Sequence, residues 1–510
     1  MPVLARNVVA TTQPLAAHAG LSMLARGGSA VDAAVATAIT LTVVEPTSNG
    51  IGSDAFAIVW DGKEMAGLNA SGRAPKSLDP ERFTGTMPTE GWDAVTVPGA
   101  VSAWAALHGR WGKLPFETLF EPAIRYASDG FLVPPAIARL WDRQVDRLRH
   151  QPGFAEAFLP HGRAPLPGEL FCCPDQAGTL QRIAATNGEA FYRGKLAEAI
   201  LRAAKPGGSP LSAEDLAAHR CDWVEPIDIE FRGHRVHELP PNGQGIAALV
   251  ALGILERCDL SQLDPDSPQM LHVQIEAMKL GMADVREHVG DPAYMQVTPA
   301  ELLDPARLHL SAKAIRRDRV AVAAPPPQRA GGTVYLATAD SAGMMVSLIQ
   351  SNYMGFGSGV VVPGTGIALN NRGASFVTTK NHPNRVGPGK RALNTIIPGF
   401  ISKDGAPVAA FGVMGGTMQP QGHVQVVSRM LASGQNPQAA IDAPRWRVEE
   451  GDVRVEATLS AEARRGLSAR GHVLVEGDPL DFGASQIVRR IERGYVAGSE
   501  SRRDGCAVGF

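Results

Sequence analysis

Gly331-Gly332-Thr333 puts a hydroxyl next to a peptide that carries no side chain on its acyl side. A threonine hydroxyl is a weak nucleophile and needs a base to take its proton. If the peptide before Thr333 is cut, the freed α-amino group stands on the same residue as the hydroxyl. With a reference pKa of about 7.7–8.0 it is partly neutral near pH 7 and can accept that proton directly or through one water. Gly332 suits the cut, because without a Cβ it lets the hydroxyl approach the preceding carbonyl. Such a site needs no histidine triad. On these residues alone, the competing reading is a loop end with no chemistry.

Other patterns offer less. There is no HExxH helix, and His234 and His237 stand alone, so no metal site is expected. No GxSxG elbow occurs. Gly387-Pro388-Gly389-Lys390 has Arg391 where a phosphate loop needs Ser or Thr, and its upstream glycine spacing is wrong. Gly412 to Gly416 does not follow a strand-into-helix nucleotide pattern. Cys172, Cys173, Cys221, Cys258 and Cys506 are odd in number and lack paired CxxC spacing. They read as reduced thiols in a cytoplasm. Neither a metal nor an organic cofactor is expected.

The elements around Thr333 can be read from period and punctuation. A proline-rich run, Ala323-Ala324-Pro325-Pro326-Pro327-Gln328-Arg329, reads as an extended linker. Thr333 then opens a strand through Val334 to Ala339. Asp340-Ser341-Ala342-Gly343 makes the turn, and Met344 to Ser351 returns as the second arm of a hairpin. Near the start, Leu15 to Arg26 reads as a helix stopped by Gly27-Gly28. Ser29-Ala30-Val31-Asp32 resembles a capping box ahead of Ala33 to Val44. That second helix is apolar nearly all round, so other layers must cover it on both sides. Ala55 to Trp60 reads as a strand, residues 99–220 as helical with proline-rich breaks, and residues 268–289 and Gln421 to Ala432 as helices.

The chain has 510 residues, 44% hydrophobic and 20% charged, with 55 Gly and 38 Pro. That composition excludes a largely disordered chain, and its length allows about three domains or one large layered unit. Its formal net charge of -2 gives no support to a nucleic-acid or anionic-membrane partner. No signal-peptide core follows Met1, and Ala33 to Val44 is shorter than the ~20 residues a bilayer requires. The uncharged stretch from Leu239 to Leu255 begins with Pro240-Pro241-Asn242-Gly243, which a spanning helix would not carry. A cytoplasmic protein is expected.

The wider sequence resembles the γ-glutamyltranspeptidase (glutathione hydrolase) family. The likeness is carried by Thr333, Asp340, Ser351, Phe356-Gly357-Ser358-Gly359, Asn370-Asn371 and Gly389-Lys390-Arg391. Met414-Gly415-Gly416-Thr417-Met418-Gln419-Pro420-Gln421-Gly422-His423 adds a longer match. Gly27 to Ala34, Val44-Glu45-Pro46, Val97-Pro98-Gly99, Asp442-Ala443-Pro444-Arg445 and Arg502-Arg503-Asp504-Gly505 extend it over nearly the whole chain. The resemblance implies an α+β fold, the four-layer αββα sandwich of N-terminal-nucleophile hydrolases, built from both halves of a precursor. Self-cleavage between Gly332 and Thr333 would leave a large subunit, 1–332, and a small one, 333–510. These would remain associated, and a dimer of heterodimers is left open.

Roles carry over residue by residue. Thr333 matches the nucleophile and Ser351 a hydroxyl that bonds it. Gly415 and Gly416 match the backbone pair of the oxyanion hole. Arg73 looks like the arginine that clamps the substrate carboxylate, for which a guanidinium fork is suited. Asn394 and Thr395 stand where the family has a Ser-Ser pair. Other positions depart: Arg372 and Ser375 replace a Gln/Glu and the Asp that holds a substrate ammonium, and Tyr353 replaces an Asn. The stretch from Phe376 to Lys390 is shorter than the lid of many transpeptidases, which favours hydrolysis over transfer. The departures resemble the branch with cephalosporin (glutaryl) acylases, putative glutathione hydrolases of bacilli and an oxamate hydrolase.

The expected activity is hydrolysis, or transfer, of γ-glutamyl groups from glutathione-like amides through an acyl-enzyme on Thr333. The alternative within the class is an amide whose acyl group bears a carboxylate but no α-amino group, of glutaryl or oxamate type. Outside it stands an unprocessed, silent relative that serves as a binding protein.

Overall fold

The computed structural model describes residues 1–260, 262–322, 331–449 and 451–510. The linker read from Ala323 to Arg329 therefore lies outside the described residues, as does its neighbour Ala330. Two seven-stranded sheets form the centre. One runs in the order Cys506–Gly509, Val8–Thr11, Gly332–Ala339, Met345–Tyr353, Asp54–Trp60, Met65–Asn69, Asp222–Val224. The other runs Val3–Ala5, Gly494–Ser499, Ala484–Ile491, Ala406–Met414, Gly399–Lys403, His234–Glu238, Ile227–Phe231. Each sheet contains strands from before and after residue 332, so neither part could complete one alone.

Period-two alternation explains the layering. Along Gly332–Ala339, Tyr335, Ala337 and Ala339 enter the core between the sheets, where Phe400, Ala410 and Met414 meet them from the other sheet. Val334 and Leu336 point the opposite way, into a core shared with Val35, Ile39 and Trp104. A second helical layer, with Ile246–Glu256, Pro268–His288 and Met418–Leu431, packs on the far sheet through Val413, Phe411 and Ile401. The order is helix, sheet, sheet, helix: the four-layer sandwich.

The expected elements are present with small shifts. Ser29 and Asp32 exchange the two bonds of a capping box, so the second helix begins at Ala30 and runs to Val44. All fifteen of its residues are buried, as an apolar surface on every side demands. Gly332–Ala339 and Met345–Tyr353 form the hairpin, with a bulge between Gly332 and Val334. The late helix begins at Met418 rather than Gln421, because Pro420 is tolerated in a first turn. No helix among the described residues is long and apolar enough to cross a membrane.

Candidate active site

Thr333 sits in the bulge. Gly332 pairs with Tyr353 but Val334 with Gln350, so Ser351 and Asn352 together face Thr333 and the extra residue is on the Ser351 strand. Its side chain is buried, and its hydroxyl donates to Ser351 Oγ at 3.2 Å. Ser351 in turn donates to the Gly332 carbonyl oxygen at 2.6 Å and accepts the Tyr353 N–H at 2.8 Å. Gln419 Nε2 approaches Thr333 Oγ1 at 3.4 Å, while Gln419 Oε1 accepts the Ile397 N–H. One hydroxyl, that of Ser351, thus joins the nucleophile to the carbonyl of the peptide before it.

Gly415 and Gly416 link strand Ala406–Met414 to helix Met418–Leu431. Their φ angles of 121° and 62° favour glycine. Both carbonyls are occupied: Gly415 O accepts Met418 N–H, and Gly416 O accepts Gln419 N–H and Gln244 Nε2. Neither glycine N–H has a partner among the described residues. Gly331 lies against this turn so closely that a Cβ on it would come within 2.7 Å of Gly416 Cα. Beneath, His423 of helix Met418–Leu431 forms a fully buried pair with Glu238 at the end of strand His234–Glu238. His423 Nε2 accepts the Val413 N–H, so its proton sits on Nδ1, facing Glu238. Burial raises the Glu238 carboxyl above its usual range.

Two cavities flank this turn. A small one, about 100 Å³, is lined by Thr333, Gly415, Ser48, Arg447, Asp481 and Arg503. The larger, about 420 Å³, has Tyr353, Thr395, Thr417 and Gln244 at one end. Gln244 Nε2 donates to the carbonyls of both Thr395 and Gly416, which joins the larger cavity to the glycine turn. Among the described residues, no Asp or Glu lines the larger cavity. Its charged or titratable side chains are Arg286, His382 and Tyr353.

Only some of the expected substrate residues are brought here. Tyr353, Ser375 and Thr395 line the larger cavity. Ser375 Oγ, however, is directed at the carbonyls of Arg372 and Leu393. Arg372 is completely buried behind the cavity wall: Nη1 donates to Thr395 Oγ1, the guanidinium stacks 4.6 Å from the Tyr353 ring centre, and Nε lies 3.4 Å from Asp54 Oδ2. Asp54 also accepts from Gly72 N–H and from Asn394 Nδ2, so Asn394 is engaged away from both cavities. Burial raises the Asp54 carboxyl and lowers Arg372, each opposed by the charge of the other. Arg73 is not brought to Thr333. Half exposed, it pairs with Asp291 at 3.1 Å, bonds Gly389 O, and lines neither cavity. In this structure the guanidinium is held in a surface ion pair by Asp291, at a distance from the Thr333 site.

Gln244, Gln419 and Asp54 were not singled out from the sequence. Each is a polar residue inside an apolar or glycine-rich run, and that is the one local sign of a buried bonding role.

The family described as Gamma-glutamyltranspeptidase matches residues 16–510. The chain belongs to that family. A glutathione hydrolase-like YwrD proenzyme of Bacillus subtilis is 36% identical, covering 99% of this chain and 98% of its own. An oxamate amidohydrolase proenzyme of Klebsiella pneumoniae is 34% identical, covering 97% of each. Among solved structures, a cephalosporin acylase from Bacillus halodurans superposes with a TM-score of 0.95 at 48% identity, covering all of this chain and 97% of that one. This γ-glutamyltranspeptidase-family member is a self-processing amidohydrolase of the N-terminal-nucleophile class.

Proposed function

We propose that the chain cuts itself between Gly332 and Thr333 and then hydrolyses amides whose acyl group carries a carboxylate but no α-ammonium. One observation carries the substrate reading: no carboxylate among the described residues lines the 420 Å³ cavity, while Arg286 and His382 do. An α-ammonium brought there would lose water without gaining a counter-ion, which is costly. Asp54, the nearby buried acid, is already engaged by Arg372, Gly72 and Asn394. This favours the glutaryl-type alternative over a γ-glutamyl group. The second reading, γ-glutamyl amides, draws support from the relatives named glutathione hydrolases.

Self-cleavage follows from the Ser351 geometry. Thr333 Oγ attacks the Gly332 carbonyl carbon as its proton moves to Ser351, and Ser351 passes its own to the developing oxyanion. The C–N bond then breaks as the tetrahedral hydroxyl re-forms the carbonyl and its proton passes to the nitrogen, which becomes the Thr333 α-amino group, and water hydrolyses the resulting ester to give the Gly332 carboxylate. In turnover the α-amino group takes the hydroxyl proton, Thr333 is acylated and the amine leaves. Water then releases the acid, with Gly415 and Gly416 N–H groups facing the oxyanion. The products are subunits 1–332 and 333–510, each holding strands of both sheets. Five unpaired cysteines support a reducing cytoplasm as its place of work.

The test compares glutaryl-p-nitroanilide with γ-glutamyl-p-nitroanilide, which differ by one ammonium group. A kcat/KM at least tenfold higher for glutaryl is expected, and the reverse order would restore the γ-glutamyl reading. A dipeptide acceptor should leave the rate little changed; strong stimulation would mark a transferase.

A further inference from the structure

The larger cavity is graded along its depth. Its inner end is buried and polar, formed by Gln244, Thr395 and Tyr353 next to the glycine turn. Helix Pro268–His288 supplies Met282, Val285 and Val289. The spacing of three and then four, continuing just past the helix end, sets these on one face as an apolar wall. Ala247, Leu393 and Phe376 extend that wall. Where the cavity opens, its lining becomes exposed: Gly85, Thr86, Thr379 and Arg286. Among the described residues Arg286 has no carboxylate partner, and its backbone carbonyl is held by His382, which lines the same mouth. The segment after Phe376 is no loose flap. Thr378 bonds Gly85 O, and Asn384 bonds Ser375 O, so this short lid segment is a built wall of the cavity.

A polar reacting end, an apolar middle and a cationic mouth match the layout of one kind of ligand. We infer that the site takes amides of long dicarboxylic acids, with the methylene chain against Met282, Val285 and Val289 and the distal carboxylate at Arg286. The proposal rests on the reading that the acyl group enters this cavity with its carbonyl toward Thr333. A cavity of about 420 Å³ falls in the size range of pockets that enclose drug-sized ligands, well beyond what a two- or five-carbon acyl group fills. A short acyl group would leave the apolar wall wet and Arg286 unused.

The experiment measures kcat/KM of the self-cleaved enzyme for p-nitroanilides of succinic, glutaric and suberic acids, with octanoyl-p-nitroanilide as the uncharged-tail control. The suberyl substrate should exceed the glutaryl one by about tenfold to a hundredfold, since each added methylene is removed from water. Arg286→Gln should lower the suberyl-to-octanoyl ratio at least fivefold. Val285→Phe, which fills the cavity, should cut suberyl turnover more than glutaryl turnover. Because Val285 is packed in the helix layer, the Arg286 variant and the wild-type length series decide the matter if Val285→Phe folds poorly. A flat or falling length series overturns the proposal, as does an unchanged suberyl-to-octanoyl ratio in Arg286→Gln. Repeating the series with an α-amino group on each acid separates the two readings. A preference for the α-amino compounds defeats the ammonium argument, yet a rise with length in that series still supports the chain subsite.

Discussion

Ser351 and Thr333 face each other across adjacent strands with their hydroxyl oxygens 3.2 Å apart, and the proton of Ser351 points to the Gly332 carbonyl 2.6 Å away. The hairpin register produces this relationship. Val334 pairs with Gln350, so one step further along the ladder Thr333 meets Ser351, at the point where the bulge interrupts the regular pairing. The uncut chain thus holds nucleophile, proton carrier and carbonyl together in one hairpin.

Removing that hydroxyl should therefore stall maturation before it affects folding. Ser351→Ala is expected to slow self-cleavage by about 10²–10³, the cost of deleting one donor to a developing oxyanion. Ser351→Thr should retain most of the rate. Intact mass against time, with Thr333→Ala as the uncut reference, reads the effect. Wild-type cleavage kinetics in Ser351→Ala would remove Ser351 from the relay.

Gly331 gives a second expectation, from steric fit. A methyl group there would stand 2.7 Å from Gly416 Cα, whereas at Gly332 the nearest atom, Thr47 O, lies at 3.0 Å. Both neighbours are backbone, which cannot yield as a flexible side chain does, and the shorter 2.7 Å approach means that Gly331→Ala must displace the glycine turn. Self-cleavage should slow more in Gly331→Ala than in Gly332→Ala, as judged from the same mass time course. Equal rates would mean that the turn and the peptide move independently.

Much of this was legible beforehand, for identifiable reasons. The hairpin after Gly332 is marked by two β-branched and aromatic-rich runs around the Asp340-Ser341-Ala342-Gly343 turn, and the helix Ala30–Val44 announces its burial by being apolar on nearly all sides. The ends moved by a few residues where a cap or a tolerated proline decided them. Arg73 could not be read, because its role depends on Asp291, distant in sequence and close in space. The same holds for Asp54, which meets Arg372 and Asn394 only after the sheets form. Gln244 has no periodic signature at all, and its two bonds to Thr395 and Gly416 arise from a loop crossing between layers.

The Asp54–Arg372 pair makes a stability prediction. Both side chains are fully removed from water, and breaking such a pair by removing one partner leaves an unpaired buried charge. Asp54→Asn and Arg372→Met should each cost about 3–5 kcal/mol. The double variant should cost less than the sum of the two. A double-mutant cycle on urea-unfolding midpoints measures the coupling. Additive losses would show that the two charges are stabilised by their other partners and not by each other.

Glu45 makes stability depend on pH in a stated direction. It is buried beside the small cavity and bonded by Thr12, with Ser48, Arg503 and Asp504 near its carboxyl. Burial outweighs the hydrogen bonds and the arginine charge, and its pKa rises from 4.5 to about 7. The folded state therefore binds the proton more tightly than the unfolded state. Below about pH 4.5 both states are protonated and Glu45 costs nothing. Between pH 4.5 and 7 the unfolded chain ionises first, and stability falls as pH rises through the folded value. At 1.36 kcal/mol per unit the full loss is about 3 kcal/mol. Glu45→Gln lacks this dependence, so its stability relative to wild type should improve by roughly that amount between pH 4.5 and 7.5. Unfolding midpoints of the two proteins across that window give the answer, since the other titrating groups are shared and cancel in the difference. A gap that stays constant would mean that Arg503 keeps Glu45 ionised throughout, and that the small cavity beside Thr333 holds a permanent ion pair.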